Sequence, residues 1–436
     1  MTTLSPLPLK KGARVGTRNV SGLSEVLSTA SSEKENHKPW LHSKSRKKAD
    51  RRIHLVFTLL SMIFGFGSIF AIFLIAYLES PTKHKYCLVL DEQFGGTEID
   101  TSIWTFEQQT SGWSSGEFEW TTNSSTNSYV KDGSLYIVPT LTSDTVGAIA
   151  VLDGYTLNLT ATGQCTSHNA SYCVATSNIS SNTILPPIQS AKLTTKLSGI
   201  AIQYGKVEIT ARMPTGNWIW PSIYMLPIDP HYGDWPASGQ IDIFNSKGNP
   251  SRDRNDGLSS AMVSTLHWGP LPILDMYKYS TNVFSLFQNF WNNAKHTFGM
   301  VWDNEGIVTW QRTRAYEVFN YKFGKGTNTF WNKGNFPQSL SNGTILQNPW
   351  TTSDGINNPN AAPFDQEFYL TLSVAVGSTN GYFSDWDAVH GKPWSDASEN
   401  PTRDFWESRN SWLPSWPKNA EDRAMIVDSV KIWQQC

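Results

Sequence analysis

An uncharged apolar run, Leu55–Leu78 (LVFTLLSMIFGFGSIFAIFLIAYL), divides this chain into two stretches that must be read separately. About 20 apolar residues suffice for a helix to cross the hydrocarbon core of a bilayer, and this run exceeds that. It begins too far from the N-terminus for an ordinary cleaved signal peptide. Lys44, Arg46, Lys47, Lys48, Arg51 and Arg52 lie immediately before it. The excess of cations on the cytoplasmic side of membrane spans puts that flank inside and the C-terminal bulk in the lumen or outside the cell. We therefore expect a signal anchor over residues 53–79 in a single-pass type II membrane protein. Residues 1–52 hold twelve Lys/Arg against four acids, a net of +8, which leaves −10 for the rest of a chain whose total is −2. Charge divided this way marks two compartments, and no nucleic-acid partner is expected.

The first 52 residues are rich in Ser and Lys and show no period, which predicts a disordered cytoplasmic tail. Residues 80–86 read as a short linker, and 87–436 as one domain. Asn-x-Ser/Thr acceptors beyond the span, at Asn123, Asn158, Asn169, Asn178 and Asn342, predict glycosylation on the lumenal side. All four cysteines lie there too. An even count in an oxidising compartment predicts two disulfides, with three connectivities open. Cys165 and Cys173 flank a short loop and are expected to pair, which leaves Cys87 with Cys436.

Helical periodicity is scarce in this domain. Alternating runs recur at Leu135–Val138, Val207–Arg212, Thr297–Trp302, Ile307–Gln311, Glu367–Val376 and Ala424–Trp433. Short strands between Gly, Asn, Pro and Asp clusters predict an all-β sandwich. Leu157–Ile188 is rich in Ser, Thr and Asn and is expected to be a surface excursion without a strand pair. Eighteen of the nineteen tryptophans follow the span. Trp is seldom fully buried, so many are expected in a cleft or at the surface. Flat indole faces stack on sugar rings, which makes a Trp-rich cleft a carbohydrate signal.

The stretch Ala237-Ser238-Gly239-Gln240-Ile241-Asp242-Ile243-Phe244-Asn245-Ser246-Lys247-Gly248-Asn249 reads as a strand bounded by glycines. Alternation puts Gln240 and Asp242 on one face, and Asn245 joins them only if a β-bulge adds a residue near Ile243–Phe244. This stretch resembles the catalytic strand of glycoside hydrolase family 16, with Gln240 and Asn245 where the family has its nucleophile and acid/base Glu, and Asp242 at its helper Asp. The resemblance extends in order along the domain. It runs through Asp91-Glu92-Gln93-Phe94, Trp113 to Trp120, Asp132 to Leu135, Tyr204 to Glu208, Asn217 to Ser222 and Thr265 to Pro270. Pro363 to Leu370 and Val374 to Phe383 resemble the laminarinase and β-1,3-glucan-recognition branch.

The resemblance implies a concanavalin-like jelly-roll β-sandwich with a concave glycan groove, preceded by the one transmembrane helix. By position it makes Trp220, Trp235, His267 and Trp268 groove residues and β-glucan the partner. No cofactor is required, although in some relatives a residue placed like Asp428 helps hold a structural calcium. A retaining glycosidase needs two carboxyl groups about 5–5.5 Å apart, and amides supply neither the nucleophile nor the proton. The expectation is a membrane-anchored β-glucan binder of impaired activity, in wall or matrix polysaccharide metabolism. The competing readings are an active endo-β-1,3(4)-glucanase or transglycosidase, and a scaffold that no longer binds sugar.

Overall fold

The computed structural model describes residues 44–78, 84–112, 115–250, 259–287, 289–324, 326–351, 360–384 and 391–436. The expected tail up to residue 43, most of the linker and the pair Trp113-Ser114 lie outside them. The helix and the domain from Lys83 onward are separate compact units. The helix spans Lys44–Leu78, so it starts earlier than the expected residue 53 and takes in the basic flank. Residues 44–64 contain neither Gly nor Pro, and Lys, Arg, Ala and Leu favour helix, so nothing stops it at the apolar boundary. The window Lys48–Leu74 is long and apolar enough to cross a membrane.

The domain is an all-β jelly-roll sandwich of two eight-stranded sheets. In one sheet the order is Glu317–Lys322, Gly306–Gln311, His296–Trp302, Gly205–Arg212, Met425–Gln435, Ser134–Ile137, Ser128–Lys131, and Tyr86–Glu92 also pairs with Met425–Gln435. In the other it is Thr281–Ser285, Ala261–His267, Gln240–Asn245, Ile219–Pro227, Phe368–Val376, Lys192–Thr194, Thr105–Phe106, and Ala201–Ile202 also lies beside Phe368–Val376. Each alternating run of the sequence falls on one of these strands. The sheets face each other through alternate residues: Val207, Ile209 and Ala211 from one, Leu370, Leu372 and Val374 from the other, all buried in one core. Burial of this kind, at roughly 25 cal/mol per Å² of apolar surface, is what holds two sheets together.

Both expected disulfides are present. Cys87–Cys436 clasps the first and last strands, whose register pairs Cys87 with Gln434, and Cys165–Cys173 closes the short loop. The insert departs from expectation. Thr156–Asn158 and Val174–Thr176 form an antiparallel pair, and Ile188 begins a further strand. These strands are three residues long, too short to leave an alternating trace.

The tryptophans depart further. Most described ones are buried, including Trp104, Trp218, Trp268, Trp291, Trp302, Trp406 and Trp412. Several meet one another and the phenylalanines edge-on, as Trp218 does Trp394 at 5.0 Å, while Trp412 stacks on Phe405. Among the described residues only Trp220, Trp235, Trp331 and Trp433 are partly exposed.

Candidate functional site

Gly239 opens the Gln240–Asn245 strand at φ +80°, where a side chain would be strained and a Cβ would stand 3.0 Å from the Phe364 ring. Ile241, Ile243 and Phe244 turn into the core. The bulge is where the sequence required it. Ile223 faces Phe244 while Tyr224 faces Asp242; on the other side Asp242 faces Thr265 and Asn245 faces Val263. The extra residue brings Gln240, Asp242 and Asn245 to the face turned away from the core.

The three side chains then bond to one another. Gln240 Nε2 donates to Asp242 Oδ1 at 2.7 Å, and Asn245 Nδ2 donates to Asp242 Oδ2 at 2.7 Å. Each amide oxygen accepts an indole N–H: Trp235 Nε1 bonds Gln240 Oε1 at 2.9 Å, and Trp220 Nε1 bonds Asn245 Oδ1 at 2.8 Å. The chain Trp235–Gln240–Asp242–Asn245–Trp220 fixes the orientation of both amides and anchors an indole at each end. Only an amide can accept at its oxygen and donate at its nitrogen in this way.

His267, opposite Gln240 on the next strand, completes the cluster. Its Nε2 lies 3.2 Å from Asp242 Oδ2 and its Nδ1 2.6 Å from Asp275 Oδ2. Burial alone would lower its pKa, but Asp242 and Asp275 overcome that and hold it up to about 10. At neutral pH the imidazolium sits between two carboxylates. Asp242 is buried and meets three donors.

Trp220, Trp235 and His267 thus stand together beside the cluster. Trp220 stacks on Tyr382 at 3.9 Å and 10°. Trp268 does not belong to the site. It is fully buried, donates to Ser280 Oγ at 2.7 Å and packs edge-on to Phe330. Neighbours in a strand point to opposite faces, so His267 and Trp268 cannot both face outward. Asp428 accepts from Ser134 Oγ at 2.7 Å and pairs with Lys295 Nζ at 2.7 Å. A lysine ammonium already fills the place of a cation there, and no cluster of three metal-ligating side chains occurs among the described residues. Asn123, Asn169, Asn178 and Asn342 are exposed; Asn158 is half-buried and accepts from Ala161 N–H.

Several residues of this face were not singled out from the sequence. Asp275 and Tyr277 come from the turn after His267, with the Tyr277 ring 5.7 Å from the imidazole. Farther across the sheet, Lys192 pairs with Glu107 at 2.7 Å and lies 5.6 Å from the Tyr224 ring, next to Asp242 in register. Glu117 is within electrostatic reach of Lys192, and burial pushes its carboxyl up to about 7. Glu117 lies in the Trp113–Trp120 motif, which was the available signal.

A β-1,3-glucan-binding protein of Penaeus monodon is 36% identical over 361 residues, covering 80% of this chain and 90% of that protein. The chain belongs to the β-1,3-glucan-binding protein family. β-1,3-Glucan-binding protein 1 of Manduca sexta is 28% identical over 79% of this chain and 64% of its own length. Glucan endo-1,3-beta-glucosidase A1 of Niallia circulans is 29% identical over 66% of this chain and 34% of its own length. The laminarinase structure from Rhodothermus marinus aligns with a TM-score of 0.48 and 19% identity, over 81% of this chain and 99% of that one. No protein-family model matches the chain.

Proposed function

We propose that the domain binds β-1,3-glucan and does not hydrolyse it, and that the apolar helix anchors it to a membrane with the N-terminus cytoplasmic. The engagement of both Asp242 oxygens by three neighbouring donors carries the reading. A glycosidase of this family type needs one free carboxylate for the anomeric carbon and a second carboxyl to protonate the leaving oxygen. Here the one carboxylate in the cluster meets two amide donors and an imidazolium, and the flanking positions are amides that neither attack nor titrate. His267 is no substitute acid, because a group held up to about 10 gives up its proton reluctantly at neutral pH. What remains is a binding surface: two edge-anchored indoles, Tyr277, and amides whose second donor hydrogens are left for sugar hydroxyls.

The names of the relatives support glucan as the ligand. Glycans on the exposed sequons, in a lumenal or extracellular setting, belong to the same proposal. Titrating the full chain in nanodiscs with a linear β-1,3-glucan tetrasaccharide tests it. Saturable binding that Trp235→Ala weakens about tenfold or more is expected, the scale for a stacked aromatic anchor. Absence of binding at millimolar sugar would defeat it.

A further inference from the structure

Away from the Asp242 cluster, a cavity of about 530 Å³ opens between the Thr140–Leu141 strand and the segment Leu413–Lys418. It shares no lining residue with the cluster. Its size lies within the range of small-molecule sites, roughly 300–1,000 Å³. We propose that this cavity is a second glycan site, taking one or two neutral hexose units.

The walls are held in place before any ligand arrives. Arg423 lies in the lining and bridges the two sides: its Nε donates to the Pro139 carbonyl at 3.1 Å, and its Nη1 to the Pro417 carbonyl at 2.8 Å. Trp416 is fixed from behind, its Nε1 donating to the Asn217 carbonyl at 2.9 Å while its ring packs on Trp412. A preformed site pays little ordering entropy on binding.

The chemistry of the lining selects the ligand class. Leu413 and Pro414, backed by the buried Trp416, give an apolar wall suited to the C–H face of a pyranose. Asp144, Asn410 and Lys418 stand exposed around it, offering an acceptor, an amide that does both, and a donor. A hydroxyl donates and accepts, so vicinal hydroxyls satisfy all three. An anion would meet its own sign at Asp144 and a cation at Lys418 and Arg423, and a purely apolar ligand would leave Asp144, Asn410 and Lys418 unpaired.

The inference rests on the glucan reading for the identity of the sugar. It also adds bivalency. Trp416 is bonded to Asn217, and Trp220 is three residues farther on, a span of at most about 10 Å of backbone. One polymer reaching both sites gains avidity over a short oligosaccharide.

The test is isothermal titration of the full chain in nanodiscs with the β-1,3-linked tetrasaccharide and with soluble polymer. Wild type is run beside Asp144→Ala/Asn410→Ala and Trp235→Ala. Two tetrasaccharides per wild-type chain, one in each variant, and polymer affinity down about tenfold or more in the cavity variant are expected. One tetrasaccharide per chain, lost in Trp235→Ala and untouched in the cavity variant, would overturn the second site and leave the groove reading standing. One lost only in the cavity variant would support the cavity and overturn the groove. No binding in wild type would overturn both.

Discussion

Asp242 is the residue on which this site turns, because both of its carboxylate oxygens are engaged by neighbours, Oδ1 by Gln240 and Oδ2 by Asn245 and His267. Gln240 illustrates the cost of disturbing that arrangement. Truncation to Ala strands the Trp235 indole N–H and removes one donor from a buried carboxylate. Unsatisfied buried groups cost about 1–3 kcal/mol, so Gln240→Ala should lower unfolding free energy by that amount in a denaturant titration. His267 carries a pH signature. Its pKa is raised from 6.5 to about 10, so the stability it contributes is fully present below pH 6.5 and is lost as pH rises through about 10. His267→Gln should flatten the fall in thermal midpoint across that window; an unchanged pH profile would refute the charged pairing. At this scale the sequence was partly legible. The spacing Asp242-x-x-Asn245 states its own condition, a bulge, and the bulge is there. Asp275 was invisible, because it reaches His267 only through a turn that folds back over the strand end.

Among the elements, long strands were legible and short ones were not. Gly205–Arg212 alternates buried and half-buried along its whole length, so its pattern survives in the sequence. The pair Thr156–Asn158 and Val174–Thr176 has an apolar face only one residue wide, Leu157 opposite Ala175, too short to leave an alternating trace. The tryptophans failed for a different reason: composition reports their number, while only strand parity and packing report their direction. Trp235 and Trp268 separate the two roles. Trp268→Ala should cost about 3–5 kcal/mol of stability, as for other buried aromatics, without a selective loss of glucan affinity in what remains folded. Trp235→Ala should do the reverse. Denaturation midpoints and sugar titrations on both variants check this.

At the scale of the whole molecule, the domain is a sandwich whose first and last strands are clasped by a disulfide. Cys87–Cys436 joins residues 349 apart in sequence, at the two ends of the domain. Cys87→Ser/Cys436→Ser should cost roughly 2–4 kcal/mol, chiefly by freeing the unfolded chain, and should leave the Asp242 cluster intact because the clasp belongs to the other sheet. The jelly roll itself was legible from motif order, since the motifs fall on strands from both sheets. What order could not convey is whether the scaffold still performs chemistry, and that rests on two amides. The decisive measurement is release of new reducing ends from β-1,3-glucan by the full chain in nanodiscs, wild type beside Gln240→Glu/Asn245→Glu. A silent wild type beside a double variant that cleaves would mean a retained groove whose chemistry was removed at these two positions. A wild type that already cleaves would contradict the account and return catalysis to Asp242 or to another carboxylate of the same face.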